Sequence, residues 1–313
     1  MRVSALGFGC GAVGGLMVSA EPGERLRAVS AALEAGVNYF DTAPSYGDGV
    51  SERNLGSALR ELGAIDEVVI GTKVMLQPEE LEAPAGAVRS SLEASLRRIG
   101  RDHADVCYLH NAIAIPGGVS REATLGVVLA EFQDLVQAGL TRHVGFTAVG
   151  ETAALKRLVD GTGFQVAQCY LNPLDPSGLR AGADGGEQDF GGLIAGAAAA
   201  GTGVVAIRVY AAGALSARTE RHPRAWLPPR PLIPGSDYGD DVERARGLEG
   251  LVFELGLESP LELGLRFALA APGVSTALVG LSSLEHLQAA LGWAGRGPLD
   301  PQTVDRILDM AGA

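Results

Sequence analysis

Short, nearly continuous apolar runs alternate along this chain with stretches whose apolar positions recur at helical spacing. The runs "VSALGFG" at 3–9, "NYFD" at 38–41, "EVVIGTK" at 67–73, "ADVCYLH" at 104–110, "RHVGFT" at 142–147, "QVAQCY" at 165–170, "GVVAIRV" at 203–209 and "STALVG" at 275–280 predict strands. Helices are predicted between or after them. The helix at 24–36 carries Leu26, Val29 and Leu33, and the helix at 86–99 carries Val88, Leu92, Leu96 and Ile99. The helix at 121–138 turns Val128, Leu129, Phe132, Leu135 and Val136 inward. Others are predicted at 51–61, 151–160, 187–200, 260–271 and 283–292. Continuous apolar strands separated by helices imply parallel pairing buried on both faces. Eight such units fit a closed (β/α)8 TIM barrel, one domain over residues 1–313, better than an open sheet.

Two segments break the rhythm. Residues 172–189 are rich in Gly, Asp and Pro, and 214–239 contains "WLPPRPLIPG", which no helix accommodates. Both follow strands, so both are expected as long loops on the C-terminal face, turned toward substrate, with a plain surface excursion as the alternative. The 111–120 loop belongs with them as a substrate determinant, and Tyr210, Trp226 and Tyr238 are candidate aromatic walls, with plain packing as the alternative.

Composition changes little in this picture. Hydrophobic residues make up 47% and charged residues 20%, the balance of a water-soluble globular chain. The net charge of −12 argues against a nucleic-acid partner, which needs a basic surface. Cys10, Cys107 and Cys169 lie far apart without a CxxC pair, so neither a disulfide framework nor a metal site is suggested. No apolar run has the length of a membrane span, and the N-terminus lacks a signal core with a cleavage site. A cytoplasmic location and no membrane partner follow as expectations.

The candidate chemistry sits where strands end. Asp41 ends the second strand, Tyr46 follows in its loop, Lys73 ends the third strand and His110 the fourth. In a parallel barrel those positions meet at one mouth. A free phenol, with a pKa of about 10, is a poor proton donor at neutral pH, and lowering it three units takes about 4 kcal/mol. An ammonium about 4 Å away supplies that order of energy at an effective dielectric near 20. Asp41 is expected to hold Lys73 in its charged form, and His110 to orient a substrate oxygen. Such a set donates a proton in carbonyl chemistry. No G-x-S-x-G elbow and no metal-ligand histidine spacing are present.

A hydride source is then required. No G-x-G-x-x-G stands between a strand and a helix; "GFGCGAVGG" reads as a tight turn after the first strand. Barrels hold phosphates at the loops after strands seven and eight, against a helix N-terminus. Here that region is "VGLSSLEHLQAAL", where Gly280 permits close approach and Ser282 or Ser283 can cap the following helix.

With these residues in view, the chain resembles the aldo-keto reductase superfamily over nearly its whole length. "NYFDTAPSYGDGVSERNLGSAL" is similar to that family's FDTAxxYGxGxSE signature, and "VVIGTKV" and "DVCYLH" to its lysine and histidine strands. The resemblance implies a catalytic tetrad of Asp41, Tyr46, Lys73 and His110, with Tyr46 as general acid, and a hydride passed between NADP(H) or NAD(H) and an aldehyde or ketone. It implies cofactor contacts from Thr147, at a serine position, and from Gln168, on the carboxamide. Ala148 replaces a carboxamide-binding asparagine. Ile207 or Arg208 takes the place of a stacking tyrosine, with Arg208 in reach of pyrophosphate. Gly280, Ser282 and Ser283 complete the pocket. The family's basic residue near Ser282, which pairs the 2′-phosphate of NADPH, has no local counterpart, and Arg218, Arg221 or Arg224 are the substitutes available. Ala290 stands nearest to an adenine-binding asparagine, and the usual N-terminal hairpin is reduced.

The resemblance implies a small-molecule carbonyl or hydroxyl substrate. Two alternatives accompany the reductase reading. One is an aldose or polyol dehydrogenase running the same chemistry oxidatively. The other, of a different class, is a slow-turnover redox-sensing binding subunit.

Overall fold

The computed structural model describes every residue except 82–83, 85, 161–162, 183–187, 226–231, 233–234 and 312–313. Eight parallel strands close into a barrel in chain order. They are β1 (Leu6–Gly9), β2 (Tyr39–Asp41), β3 (Val69–Val74), β4 (Ala104–Leu109), β5 (Thr141–Thr147), β6 (Val166–Tyr170), β7 (Gly203–Ile207) and β8 (Val274–Gly280). β1 closes the ring by pairing both β2 and β8, so that Gly9 is in register with Asp41 and with Gly280.

One helix after each strand forms the outer layer: α1 (Pro22–Glu34), α2 (Val50–Glu61), α3 (Ala87–Ile99), α4 (Leu129–Gln137), α5 (Thr152–Val159), α6 (Leu193–Ala199), α7 (Pro260–Ala270) and α8 (Leu284–Gly295). Their apolar stripes make the main core against the outward faces of the strands. In α3 the stripe is Val88, Leu92, Leu96 and Ile99, all buried as the spacing predicts. In α4 it is narrower than predicted. Leu129, Phe132 and Leu135 are buried, whereas Val136 lies on the border of the stripe and is 37% exposed.

The lumen is filled by the other faces of the strands. Tyr39 and Tyr108 pack there with Val106, Val166 and Val205, and both tyrosines are fully buried. Two phenol rings fit because β3 and β5 give up side chains opposite them. A Cβ at Gly71 would stand 2.9 Å from the Tyr39 hydroxyl, and one at Gly145 would stand 2.7 Å from Tyr108 Cδ1. Below them the N-terminal residues meet the lumen. Val3 packs on the lumen cluster, and Ser4 and Asn38 exchange backbone-to-side-chain hydrogen bonds of 2.7 and 3.0 Å.

Several elements depart from the sequence expectation. The helix predicted over 187–200 begins only at Leu193, because Gly191 and Gly192 adopt left-handed backbone, φ 60° and 75°, that a helix cannot continue through. The strand predicted over 203–209 ends at Ile207, since Arg208 is itself left-handed at φ 57°. Within 214–239, a 3₁₀ segment runs to Ser216 and a further helix, Tyr238–Arg246, starts under a capping box made by Asp237 and Asp240. Trp226 and most of its proline cluster lie outside the described residues. Helices Glu249–Glu254 and Pro301–Ala311 add to the outer layer, the latter burying Val304, Ile307 and Leu308.

Candidate active site

The ends of β2, β3 and β4 bring the four predicted side chains to one mouth. Lys73, in register with Tyr108, reaches back to Asp41 and forms an ion pair through Nζ and Oδ1, both groups almost fully buried. Its Nζ also donates to the carbonyl of Thr42 at 2.9 Å. The same ammonium lies 4.7 Å from the ring centroid of Tyr46. The Tyr46 ring meets that of His110 edge to face, with centroids 6.1 Å apart.

The loop that carries Tyr46 is held by its neighbours in the sequence. Ser51 Oγ donates to the carbonyl of Cys10 at 2.9 Å and shares a hydrogen bond of 2.9 Å with Thr42 Oγ1. Glu52, fully buried, accepts from Thr72 Oγ1 at 2.7 Å and from Arg98 Nε at 2.5 Å. Thr72 precedes Lys73, so the acidic end of the "SYGDGVSE" stretch anchors β3 as well as α2.

Burial dominates the electrostatics here. It works against the Lys73 ammonium, yet the Asp41 carboxylate and Tyr46 outweigh it, and the lysine pKa is raised. Burial also pushes the Tyr46 phenol above its ordinary value. The field of Lys73 pulls it down, but not far enough. The expectation that Lys73 would carry the phenol toward neutrality is thus corrected: Lys73 offsets part of a desolvation cost that the sequence could not display. His110 is pushed down to about 3, by burial first and by Lys73 second, and is a neutral imidazole at physiological pH. Its Nδ1 is buried and has no hydrogen-bond partner.

The predicted cofactor residues fall into three places. Gln168, on β6, donates from Nε2 to Asp41 Oδ2 at 2.6 Å, and its Oε1 accepts from Thr147 Oγ1 at 3.4 Å. Its amide is therefore anchored on Asp41, a partner the sequence reading did not assign to it. Arg208, just past β7, lies with its guanidinium 5.3 Å from the ring centroid of Tyr170, and its carbonyl accepts from Asn172 Nδ2 at 3.1 Å. Arg208, Ala211 and Ala212 all have left-handed backbone, φ 57°, 48° and 56°. Three non-glycine residues in five positions thus hold backbone that ordinarily favours glycine.

Gly280, Ser282 and Ser283 form the third place, where β8 leads into α8. Ser283 is the N-cap and accepts from the backbone N–H of His286 at 3.3 Å. A Cβ at Gly280 would meet only the Gly14 nitrogen, at 3.9 Å, so the backbone there is open to close approach. A basic residue does reach this corner from a distance. Arg224 Nη1 donates to the Ser282 carbonyl at 3.1 Å and pairs with Glu24 Oε1 at 2.6 Å. Arg221 Nη2 donates to the carbonyl of Val13 at 3.2 Å, so 221–224 lies across the first and last βα loops. The His222 and His286 rings meet beside it at 5.6 Å. Of the arginines that could replace a local base, Arg224 is the one drawn to α8. Glu24 was missed because its partner is 200 residues away.

A model of the aldo/keto reductase family matches residues 5–311. The chain belongs to the aldo/keto reductase family. Among curated proteins it is similar to L-galactose dehydrogenase of Arabidopsis thaliana, 27% identical over 92% of this chain and 83% of that one. It is also similar to D-threo-aldose 1-dehydrogenase of a Pseudomonas species, 33% identical over 36% of this chain and 41% of that one. Among solved structures, the holo form of the aldo-keto reductase AKR11C1 from Bacillus halodurans shares the fold, with a TM-score of 0.74 at 22% identity over 100% of this chain and 94% of that one. Membership makes this protein an oxidoreductase with a barrel of the aldo/keto reductase type. Among the described residues no helix is long and apolar enough to cross a membrane.

Proposed function

We propose that this aldo/keto reductase transfers a hydride between a nicotinamide nucleotide and a carbonyl or carbinol carbon, with Tyr46 as the proton donor or acceptor. The observation that carries this reading is the convergence of Tyr46, Lys73 and His110 on one mouth above a buried Asp41–Lys73 pair. The nicotinamide, when bound, supplies or takes the hydride. In the reductive direction Tyr46 passes its phenolic proton to the substrate oxygen, and Lys73 stabilises the phenolate left behind. The neutral His110 orients that oxygen by a hydrogen bond that does not titrate near neutrality. Thr147 and Gln168 flank the carboxamide side, and the α8 N-terminus favours anionic groups.

The test is Tyr46→Phe. It is expected to lower turnover at least about a hundredfold, the usual span of general acid catalysis, with nucleotide affinity nearly intact. Retention of most of the wild-type rate would end the acid assignment.

The oxidative direction on an aldose hydroxyl is favoured over the reductive one by two observations. Two of the relatives that match are named as dehydrogenases of sugars, one of them over nearly the full length of this chain, while two that match about half of it are named as aldo-keto reductases. The Arg224 guanidinium at α8 is also held by Glu24. A 2′-phosphate brought to that corner has to compete with Glu24 for its counter-charge, which favours NAD(H) over NADP(H). Replacing Glu24 by Gln is expected to tighten NADPH about tenfold, or about 1.4 kcal/mol, and to leave NADH within about twofold. Cofactor-fluorescence titration of wild type and variant reads both values. An unchanged NADPH to NADH ratio would remove the pair from the account of specificity.

A further inference from the structure

Beneath the tetrad the lumen holds a second polar group that the proposed chemistry does not use. Tyr39 and Tyr108 share a hydrogen bond of 2.7 Å between hydroxyls, and the Tyr39 hydroxyl also points at Asp41 Oδ2, 3.4 Å away. Gln168 Nε2 reaches the same oxygen at 2.6 Å. Tyr39, Asp41, Tyr108 and Gln168 all come from even-numbered strands, with Tyr39 and Asp41 one level apart on β2. Their surroundings are Val106, Val166 and Val205. A hydroxyl placed among valines is costly unless it is hydrogen-bonded, and phenylalanine would fill the same space without that requirement. The two phenols are thus spent on the carboxylate. Asp41 is served on both oxygens: Oδ1 by Lys73, Oδ2 by an amide and a phenol.

We propose that Tyr39 and Tyr108 are positioning residues that act on the Tyr46 acid through Asp41. The proposal rests on the reading of Tyr46 as the acid. A carboxylate that donates charge into Oδ2 hydrogen bonds holds its lysine less tightly and projects less negative field toward the mouth. With the Tyr39 hydroxyl donating to Asp41 Oδ2, Tyr108 is the donor in the phenol pair and polarises Tyr39 from behind. Loss of the Tyr39 hydroxyl removes the contact itself, and loss of the Tyr108 hydroxyl removes only its reinforcement. The two deletions therefore differ in size but share a sign. Each concentrates charge on Asp41, makes Tyr46 a weaker acid and slows proton donation. A packing role would make them alike, since each removes one oxygen.

The experiment measures single-turnover reduction of 4-nitrobenzaldehyde by NADH as a function of pH in wild type, Tyr39→Phe, Tyr108→Phe and Tyr46→Phe. In Tyr39→Phe the rate is expected to fall about tenfold and the alkaline limb to move up by about half a unit or more, as a weaker acid requires, with NADH affinity within about twofold. In Tyr108→Phe the same changes are expected at about a third of that size. Wild-type rate and limb in a folded Tyr39→Phe, with Tyr46→Phe inactive, would overturn the positioning role and leave the acid assignment standing. An active Tyr46→Phe would overturn the acid assignment itself. A stability cycle between Tyr39→Phe and Asp41→Asn reads the same contact without substrate. Non-additive effects support the coupling and strictly additive ones overturn it.

Discussion

His110 shows how much of this site is decided by burial rather than by residue type. Its imidazole is pushed down to about 3, chiefly by burial and then by Lys73, whereas the unfolded chain carries an imidazole of about 6.5. As acid is added, the unfolded state takes up this proton first. The native state accordingly loses stability as pH falls from about 6.5 toward 3. His110→Asn is expected to lose less stability than wild type between pH 7 and pH 4.5, read as urea midpoints at the two values. Equal losses would mean that the imidazole is not held neutral. The meeting of Asp41, Tyr46, Lys73 and His110 at one mouth was legible because each lies at the end of a strand or in the loop after it. The acidity of Tyr46 was not, because desolvation depends on what the fold places around the phenol. The Glu24–Arg224 pair was equally hidden, since no local pattern announces a contact between two ends of the chain.

Elements with strong internal periodicity were readable, and the misplaced boundaries trace to single backbone features. Gly191 and Gly192 delay α6, and left-handed Arg208 cuts β7 short. The helix at Tyr238–Arg246 did carry a signal, Asp237 with Asp240 three residues on, but the prolines before it dominated the reading. Pro301–Ala311 likewise begins with Asp300 accepting from the Thr303 N–H at 2.9 Å. At α8 the N-cap has a consequence that can be measured. Ser283→Ala is expected to cost about 1 kcal/mol of stability through loss of the cap. A denaturant midpoint shift at constant slope reads it, and no shift would mean that the helix start is held by Arg224 and the β8 turn instead.

For the molecule as a whole, the eightfold βα rhythm gave the barrel from sequence, whereas the filling of its lumen stayed out of sight. The tyrosines of β2 and β4 and the glycines of β3 and β5 belong to different strands, and their fit depends on register, which hydrophobic pattern alone leaves open. The contacts at the floor were likewise undetermined from sequence; Val3 packs on the lumen cluster and Ser4 bonds to Asn38.

The seam between β1 and β8 carries a cost during synthesis. β1 leaves the ribosome first, yet one of its two edges pairs only with β8, which ends at Gly280. Until then that edge has no partner. A nascent strand with an open edge is a template for another chain. The corner that completes the barrel last is thus also the point at which crowded nascent chains would first stick to one another.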